Sequence, residues 1–443
     1  VPGARSPGAA RATSPLADVE LSDIAGRWLT GYRSLVFAVS GGPDSMALML
    51  LASRWRSASA PPPRIIVATV DHGLRPESAE EADWVREQAG RLGLAHETLR
   101  WEGPKPATGR QEAAREARYR LLEDLAARLP PPIAIVLAHH LDDQAETFLM
   151  RLARGSGVDG LSAMQPVRRL GTHGIAVVRP FLDVAPLRLR ATLLERGLAW
   201  REDPSNADPA YERVRVRQAM KAAATLGLSH AAVALSARRL ARARTALDHV
   251  TGALLEAVVD NHRGAYASLP VEAFDRAPEE LRVRLLQRLT ARFGGISPPP
   301  ASARLEVLAE RLSTVGEQVS STLGGCQVRR MRDAIVVMRE PGRRGLPVLE
   351  LAPGTDAIWD GRFGVSARKD APAGLIVAAA SAADIAGLLA GREAANRPQP
   401  RETALARKAR LTLPAFWHAG RIVAFPALGW SALAGLEAEF IAP

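Results

Sequence analysis

The sequence predicts an α/β fold: a parallel sheet with helices on both faces, followed by an α-rich domain and a small, β-rich α+β C-terminal domain. Three observations predict it. Short apolar runs alternate with longer amphipathic ones from about residue 31 to 220. From about 221 to 315 the apolar spacing becomes helical throughout, and after about 320 it breaks into short β-like runs punctuated by Gly and Pro. A βαβα alternation of the first kind buries both sheet faces and calls for parallel strands.

In order, SLVFAVS (34–40) is a buried strand, followed by a glycine turn and a helix through MALMLLASRWR. RIIVATVDH (64–72) is a second strand and EEADWVREQAGRLGL (80–94) a helix. AHETLRW (95–101) is a third strand, and a long helix from Arg110 to Leu129 ends at Pro130-Pro131-Pro132. IAIVLAHH (133–140) is a fourth strand leading into a helix from about Asp142 to Arg154. The expected division is 1–30, a lead-in and first helix; 31–217, the catalytic domain; 218–318, an α-helical linker; and 319–443, the β-rich C-terminal domain.

Bulk properties exclude several classes. No apolar run approaches the ~20 residues that span a bilayer, so no membrane partner is expected. The first twenty residues lack the apolar core of a secretory signal. Cys326 is the one cysteine, which excludes an intrachain disulfide and any Cys-x-x-Cys metal site and fits a cytoplasmic location. The net charge is +11, with +3 in residues 1–220 and +8 in the remainder, nearly all of the excess arginine. Arginine binds phosphate through a planar fork. The surplus therefore suits a polyanionic partner, or else solvated faces written in Arg.

The chemistry concentrates at Ser40-Gly41-Gly42-Pro43-Asp44-Ser45, between the first strand and its helix. Adjacent glycines let backbone approach an anion, and the helix N-terminus turns N–H groups toward it. Ser40 and Ser45 add hydroxyls, and Asp44 offers a carboxylate to Mg2+. The bland alternative is a capped glycine turn. The kinase-type G-x-x-x-x-G-K-[ST] loop is absent.

This loop resembles that of the PP-loop ATP pyrophosphatases, a Rossmann-like superfamily that splits ATP between the α and β phosphates. Further motifs follow: Val70-Asp71-His72-Gly73-Leu74-Arg75-Pro76-Glu77-Ser78, Ala114-Arg115-Glu116-Ala117-Arg118-Tyr119, and Ala138-His139-His140-Leu141-Asp142-Asp143-Gln144-Ala145-Glu146-Thr147. Arg154-Gly155-Ser156-Gly157, Arg179-Pro180-Phe181 and Glu202-Asp203-Pro204-Ser205-Asn206 complete the set. Across about 34–217 they are similar, in order, to the tRNA(Ile)-lysidine synthetase family. The resemblance implies an ATP-dependent carbon–nitrogen ligase. Its substrates would be ATP, L-lysine and an isoleucine tRNA with a CAU anticodon, whose wobble cytidine becomes lysidine; Mg2+ would accompany ATP. Oligomeric state stays open, a homodimer included.

Asp143 and Glu146 lie three apart at a helix start and share a face. They suit an ammonium ligand such as lysine, or else simply complement the helix dipole. The histidine pair offers no helical i, i+4 zinc spacing. His139 is carried forward as lining the site, with a packing role as its alternative, and Asp71 and His72 border the nucleotide. Arg115 joins the catalytic group, and Arg118 reaches phosphate from the same helix. Arg213 and Arg217 are carried over as tRNA or phosphate contacts, although Val214 stands where the family commonly has Asn. Arg238 and Arg242 form part of a basic helical surface for tRNA. PP-loop thiolases and glutamine-dependent amide synthetases need catalytic cysteines that this catalytic half lacks. A non-catalytic RNA-binding protein would have no use for Asp44, Asp143 and Glu146 together.

Overall fold

Apolar side chains at every second position build the first sheet. The computed structural model describes residues 13–73, 77–103, 105–106, 108–171, 174–202, 212–295, 300–314, 319–394 and 404–441. The chain divides into two units, residues 1–245 and 246–443. The first begins with α1 (Asp18–Leu29), β1 (Ser34–Ala38), α2 (Pro43–Ala58), β2 (Arg64–Asp71), α3 (Ser78–Arg91) and β3 (Ala95–Arg100). Next come α4 (Arg110–Ala127), β4 (Ile133–Val136), α5 (Leu141–Leu152), α6 (Val158–Leu161), β5 (Val167–Leu170) and β6 (Ile175–Val178). Then α7 (Pro186–Glu195), α8 (Glu212–Ala223) and α9 (His230–Val258) follow, the last running across the division.

The sheet order is β3-β2-β1-β4-β6-β5. All pairs are parallel except β5–β6. Leu35, Phe37, Val67, Val136 and Val178 point to one face, where α1, α2, α3 and α7 cover them. Val36, Ala68, Ile135 and Val177 point to the other, against Leu122, Leu125 and Ala126 of α4. This period of two with both faces covered is what the apolar runs require. Helix α2 is apolar nearly all round, with every residue from Met46 to Ala52 buried, because it is packed between the sheet and α1 and α7.

The decisive feature is the strand order. The chain lays down β1, β2 and β3 in one direction and then returns to place β4 on the opposite side of β1. Loops leaving the carboxyl ends of β1 and β4 therefore diverge to opposite faces, and the crevice between them is where such sheets bind ligands.

The second unit holds β7 (Asp260–Asn261), β8 (Tyr266–Pro270), α10 (Val271–Arg276), α11 (Glu279–Gly294), α12 (Ser302–Ser313), β9 (Ser320–Leu323), β10 (Cys326–Arg330) and β11 (Ala334–Arg339). Its antiparallel sheet β7-β8-β11-β10-β9 packs on the three helices. Two of these strands, β7 and β8, lie inside the 218–318 stretch expected to be helical. Strand β8 pairs with β11, more than sixty residues away, and β7 is only two residues long, so no local spacing announces them. Beyond it are β12 (Leu349–Leu351), β13 (Asp356–Trp359), β14 (Phe363–Ala367), β15 (Leu375–Ala379), α13 (Ala382–Ala394), α14 (Ala404–Arg410), β16 (Pro414–His418), β17 (Arg421–Phe425), β18 (Trp430–Ser431) and β19 (Leu436–Phe440). They form the sheets β12-β15-β16-β17-β18 and β13-β14-β19 around a core that includes Trp359, Phe416 and Phe425. Arg339 grips Asp360 with two hydrogen bonds of 2.9 and 2.8 Å, and the fully buried Arg362 adds a third of 2.7 Å. Among the described residues no helix is long and apolar enough to cross a membrane.

Candidate active site

Gly41 turns the chain out of β1 with φ of +88°, a left-handed angle that strains any side chain. A Cβ there would also press on Val85 at 3.3 Å. Gly42 then caps α2 without a side-chain cap, and Pro43 fills the first helical turn, where a missing N–H costs nothing. The Ser45 hydroxyl donates to the Gly42 carbonyl at 2.9 Å and accepts the Ser40 N–H at 3.2 Å. Ser45 therefore braces the loop from within, while Ser40 stays exposed. The loop's outward surface is backbone, as a phosphate site needs.

At the end of β4, His140 caps α5 reciprocally with Asp143. The His140 N–H donates to Asp143 Oδ2 at 3.0 Å, and the Asp143 N–H approaches His140 Nδ1 at 3.4 Å. His140 Nε2 lies 3.5 Å from Asp44 Oδ2 and 3.6 Å from Asp143 Oδ2. One imidazole thus joins the carboxylate after β1 to the carboxylate after β4, across the switch point. Sequence reasoning carried forward its neighbour, His139, instead. No sequence signal separates the two, because His139 stands three residues before Asp142 as His140 does before Asp143.

Burial opposes charge on His140, but its hydrogen bond to Asp44 and the Asp143, Asp44 and Asp142 charges outweigh that, so its pKa is raised above 6.5. Burial also opposes charge on Asp143, and His140, Arg213 and His139 together hold it below the usual carboxylate range. His139 goes the other way. Burial pushes it down to about 3, Arg179, Arg213 and Arg115 adding to the shift and Asp143 opposing it. Among the described residues its buried Nδ1 has no hydrogen-bond partner. His72, also with an unpartnered Nδ1, is pushed down to about 4 by burial and by Arg118. Both rings are neutral at pH 7, and each has a buried nitrogen free to meet a substrate group.

These shifts predict a pH signature. In the unfolded chain His139 and His72 protonate near 6.5, but in the fold only near 3 and 4. Between 6.5 and those values the unfolded state binds more protons, so stability falls as pH falls. His139→Gln should flatten that slope, read from urea unfolding at successive pH values between 4 and 7; an unchanged slope refutes the assignment. His140 acts in the opposite sense. Its contribution is complete below 6.5 and lost as pH rises through its raised folded pKa.

Asp71 anchors the end of β2, accepting from Ser78 Oγ at 2.6 Å and Gly73 N–H at 2.9 Å. Leu74, Arg75 and Pro76 of its motif lie outside the described residues, as do Asp203, Pro204, Ser205 and Asn206. Arg115 and Arg118 are exposed on α4, and the Arg115 guanidinium stands 5.2 Å over the Tyr119 ring. Arg168, 5.1 Å over the same ring, and the buried Arg179 enlarge this basic wall. Neither came forward from the sequence as a site residue. Arg238 pairs with Asp183 at 2.8 Å, and Arg242 is exposed.

Glu146 is fully buried, and both its oxygens are taken. Arg213 Nε donates to Oε2 at 3.0 Å and Arg217 Nε to Oε1 at 2.8 Å, while Arg213 Nη2 lies 3.3 Å from Asp143 Oδ1. The 213–217 stretch, legible as strand or helix, is helix α8, and its two arginines face the carboxylates. In this structure they meet protein carboxylates, where a phosphate contact was expected of them.

Asp44 would be the residue to hold a Mg2+ ion accompanying the nucleotide. Its Oδ1 is buried with no hydrogen-bond partner while Oδ2 faces His140. Among the described residues no group of three or more His, Cys, Asp or Glu could hold a metal unaided. One carboxylate with phosphate oxygens and water is a usual Mg2+ arrangement, so the residues fit.

The doubly covered sheet, the glycine loop after β1 and the acidic pair after β4 define a PP-loop ATP-binding protein, and a PP-loop domain model matches residues 17–223. A model described as the TilS substrate binding domain matches residues 269–336. The tRNA(Ile)-lysidine synthase of Bradyrhizobium sp. is 45% identical over 328 residues, covering 70% of this chain and 91% of that protein. That of Methylobacterium nodulans is 45% identical over 341 residues, covering 75% and 98%. That of Rhodopseudomonas palustris is 43% identical over 322 residues, covering 70% and 92%. The chain belongs to the tRNA(Ile)-lysidine synthase family.

Proposed function

We propose that this chain converts the wobble cytidine of an isoleucine tRNA with a CAU anticodon to lysidine, using ATP and L-lysine. The observation that carries the reading is the Asp44–His140–Asp143 link across the switch point, in a chain of this family. It joins the glycine loop to Asp143, which supports a reading in which nucleotide and ammonium group are held side by side. The cytosine C2 oxygen attacks the α-phosphorus of ATP, forming an O–P bond as the bond to pyrophosphate breaks. The lysine ε-amine then attacks C2, a C–N bond forms, AMP leaves with the oxygen, and the amine's proton goes to a base.

Each residue's part follows from its surroundings. Gly41, Gly42 and Ser40 present backbone and hydroxyl donors to the phosphates, which Ser45 and Pro43 hold in register. Asp44 holds Mg2+, which when bound neutralises phosphate charge. Asp71 and His72 border the nucleotide. Asp143, kept ionised by its cationic neighbours, holds the ammonium together with Glu146. Neutral His139 accepts a hydrogen bond from the substrate, and Arg115 and Arg118 meet the phosphates flanking the target base. The cytidine must leave its stack, at a cost of a few kcal/mol, which Arg242 and Arg238 would help offset by gripping backbone phosphates elsewhere on the tRNA. We place the reaction in the cytoplasm, where the tRNA and ATP are. The test supplies ATP, radiolabelled lysine and a CAU-anticodon tRNA transcript. Label should enter the tRNA and depend on both ATP and cytidine at the wobble position. No incorporation by folded protein overturns the proposal.

A further inference from the structure

Arg213 and Arg217 sit one helical turn apart on α8 and present both guanidinium groups to one buried carboxylate. Further along the same face of α8, Met220 is buried in an apolar cluster with Ala145 of α5 and Val233 of α9. The helix is therefore held down by packing that does not involve the arginines. Their side chains are 39% and 42% exposed, while Glu146 is at 0%. Water reaches the arginines but not Glu146.

We infer that Arg213 and Arg217 are an internal cation latch on the ammonium seat, and that a free amino acid's ε-ammonium engages Glu146 by displacing the Arg217 guanidinium into solvent. The inference rests on the reading of Asp143 and Glu146 as that seat. The exchange is electrically balanced. A buried carboxylate stripped of its partner is costly, whereas trading one cation for another leaves the charge compensated. Arg217 is the exchangeable member because, among the described residues, its ion pair is with Glu146, at 2.8 Å, whereas Arg213 also reaches Asp143. A half-exposed guanidinium regains hydration when it swings out, so the displacement is cheap on that side. Affinity for the amine is then the intrinsic affinity reduced by the fraction of time the seat stands open.

The latch has a sign that a supporting role lacks: weakening it tightens binding. The experiment titrates L-lysine into the full chain with a non-hydrolysable ATP analogue present, by calorimetry, for wild type, Arg217→Gln, Arg217→Lys and Asp143→Asn. Arg217→Gln is expected to lower the Kd for lysine on the order of tenfold, and to lower KM for lysine in the complete reaction without raising kcat. Arg217→Lys should fall between it and wild type, and stands in for it if Arg217→Gln does not fold. Unchanged or weaker binding by these variants, with Asp143→Asn strongly weakened, overturns the latch and leaves the seat intact. Unchanged binding by Asp143→Asn overturns the seat itself.

Discussion

Asp44→Ala is expected to cut ATP-dependent pyrophosphate release by about 10²–10³-fold, the scale on which removal of one electrostatic stabiliser lowers a rate. Asp44 stands in the first turn of α2, on the loop side of the switch point. One of its oxygens is turned to His140, and the other is buried with no hydrogen-bond partner among the described residues. A buried carboxylate oxygen left in that state beside the glycine loop is placed for a cation. The substitution leaves α2 its packing, since Met46 to Ala52 hold it in the core. Stability should change by at most about 1 kcal/mol, the worth of an acid at a helix N-terminus. Asp44→Asn should be nearly as inactive, because it preserves shape and removes charge. Pyrophosphate release at the wild-type rate in either variant refutes the phosphate-site assignment.

Glu146→Ala is expected to destabilise the first unit by about 2–4 kcal/mol. Breaking a buried pair from one side costs about 3–5 kcal/mol because the surviving charge is uncompensated. Here the survivors, Arg213 and Arg217, are each about two-fifths exposed and recover part of that in water. Amide exchange over residues 141–152 and 212–223 measures the effect locally, which matters because a chain of two units need not unfold in one step. A double-mutant cycle with Arg217→Gln isolates the pairwise part. Glu146→Ala without faster exchange in either helix would mean that the two salt bridges carry no weight.

How much of this was legible beforehand depended on whether the signal was local. The strand–loop–helix at 34–58 could be read because an apolar run, two glycines and a helical spacing are all contiguous. The assembly of Asp44 with Asp143 could be foreseen in outcome, since each follows a strand expected in one parallel sheet. The β5–β6 pair was not read. Both strands are four residues long, and β5 is largely exposed, too short and too polar for alternation to register. The engagement of Glu146 by Arg213 and Arg217 spans 67 and 71 residues, beyond any periodicity. The alternation at 213–217 left strand and helix both open, and so did not say what the arginines would meet. The choice of His139 over His140 turned on cap geometry, which two adjacent identical residues do not betray.

Cys326 has a practical consequence. It begins β10 fully buried, and burial pushes its thiol up to about 12, only partly countered by Arg339 and Arg362. At neutral pH it has almost no thiolate and no route to a reagent. The folded chain therefore behaves toward maleimides as though it were cysteine-free. A cysteine introduced at an exposed position of α8, such as Gln218, would be the single labelling site. A fluorophore there would report on the surroundings of the arginine pair while the native thiol stays silent, with no background substitution needed to prepare the protein.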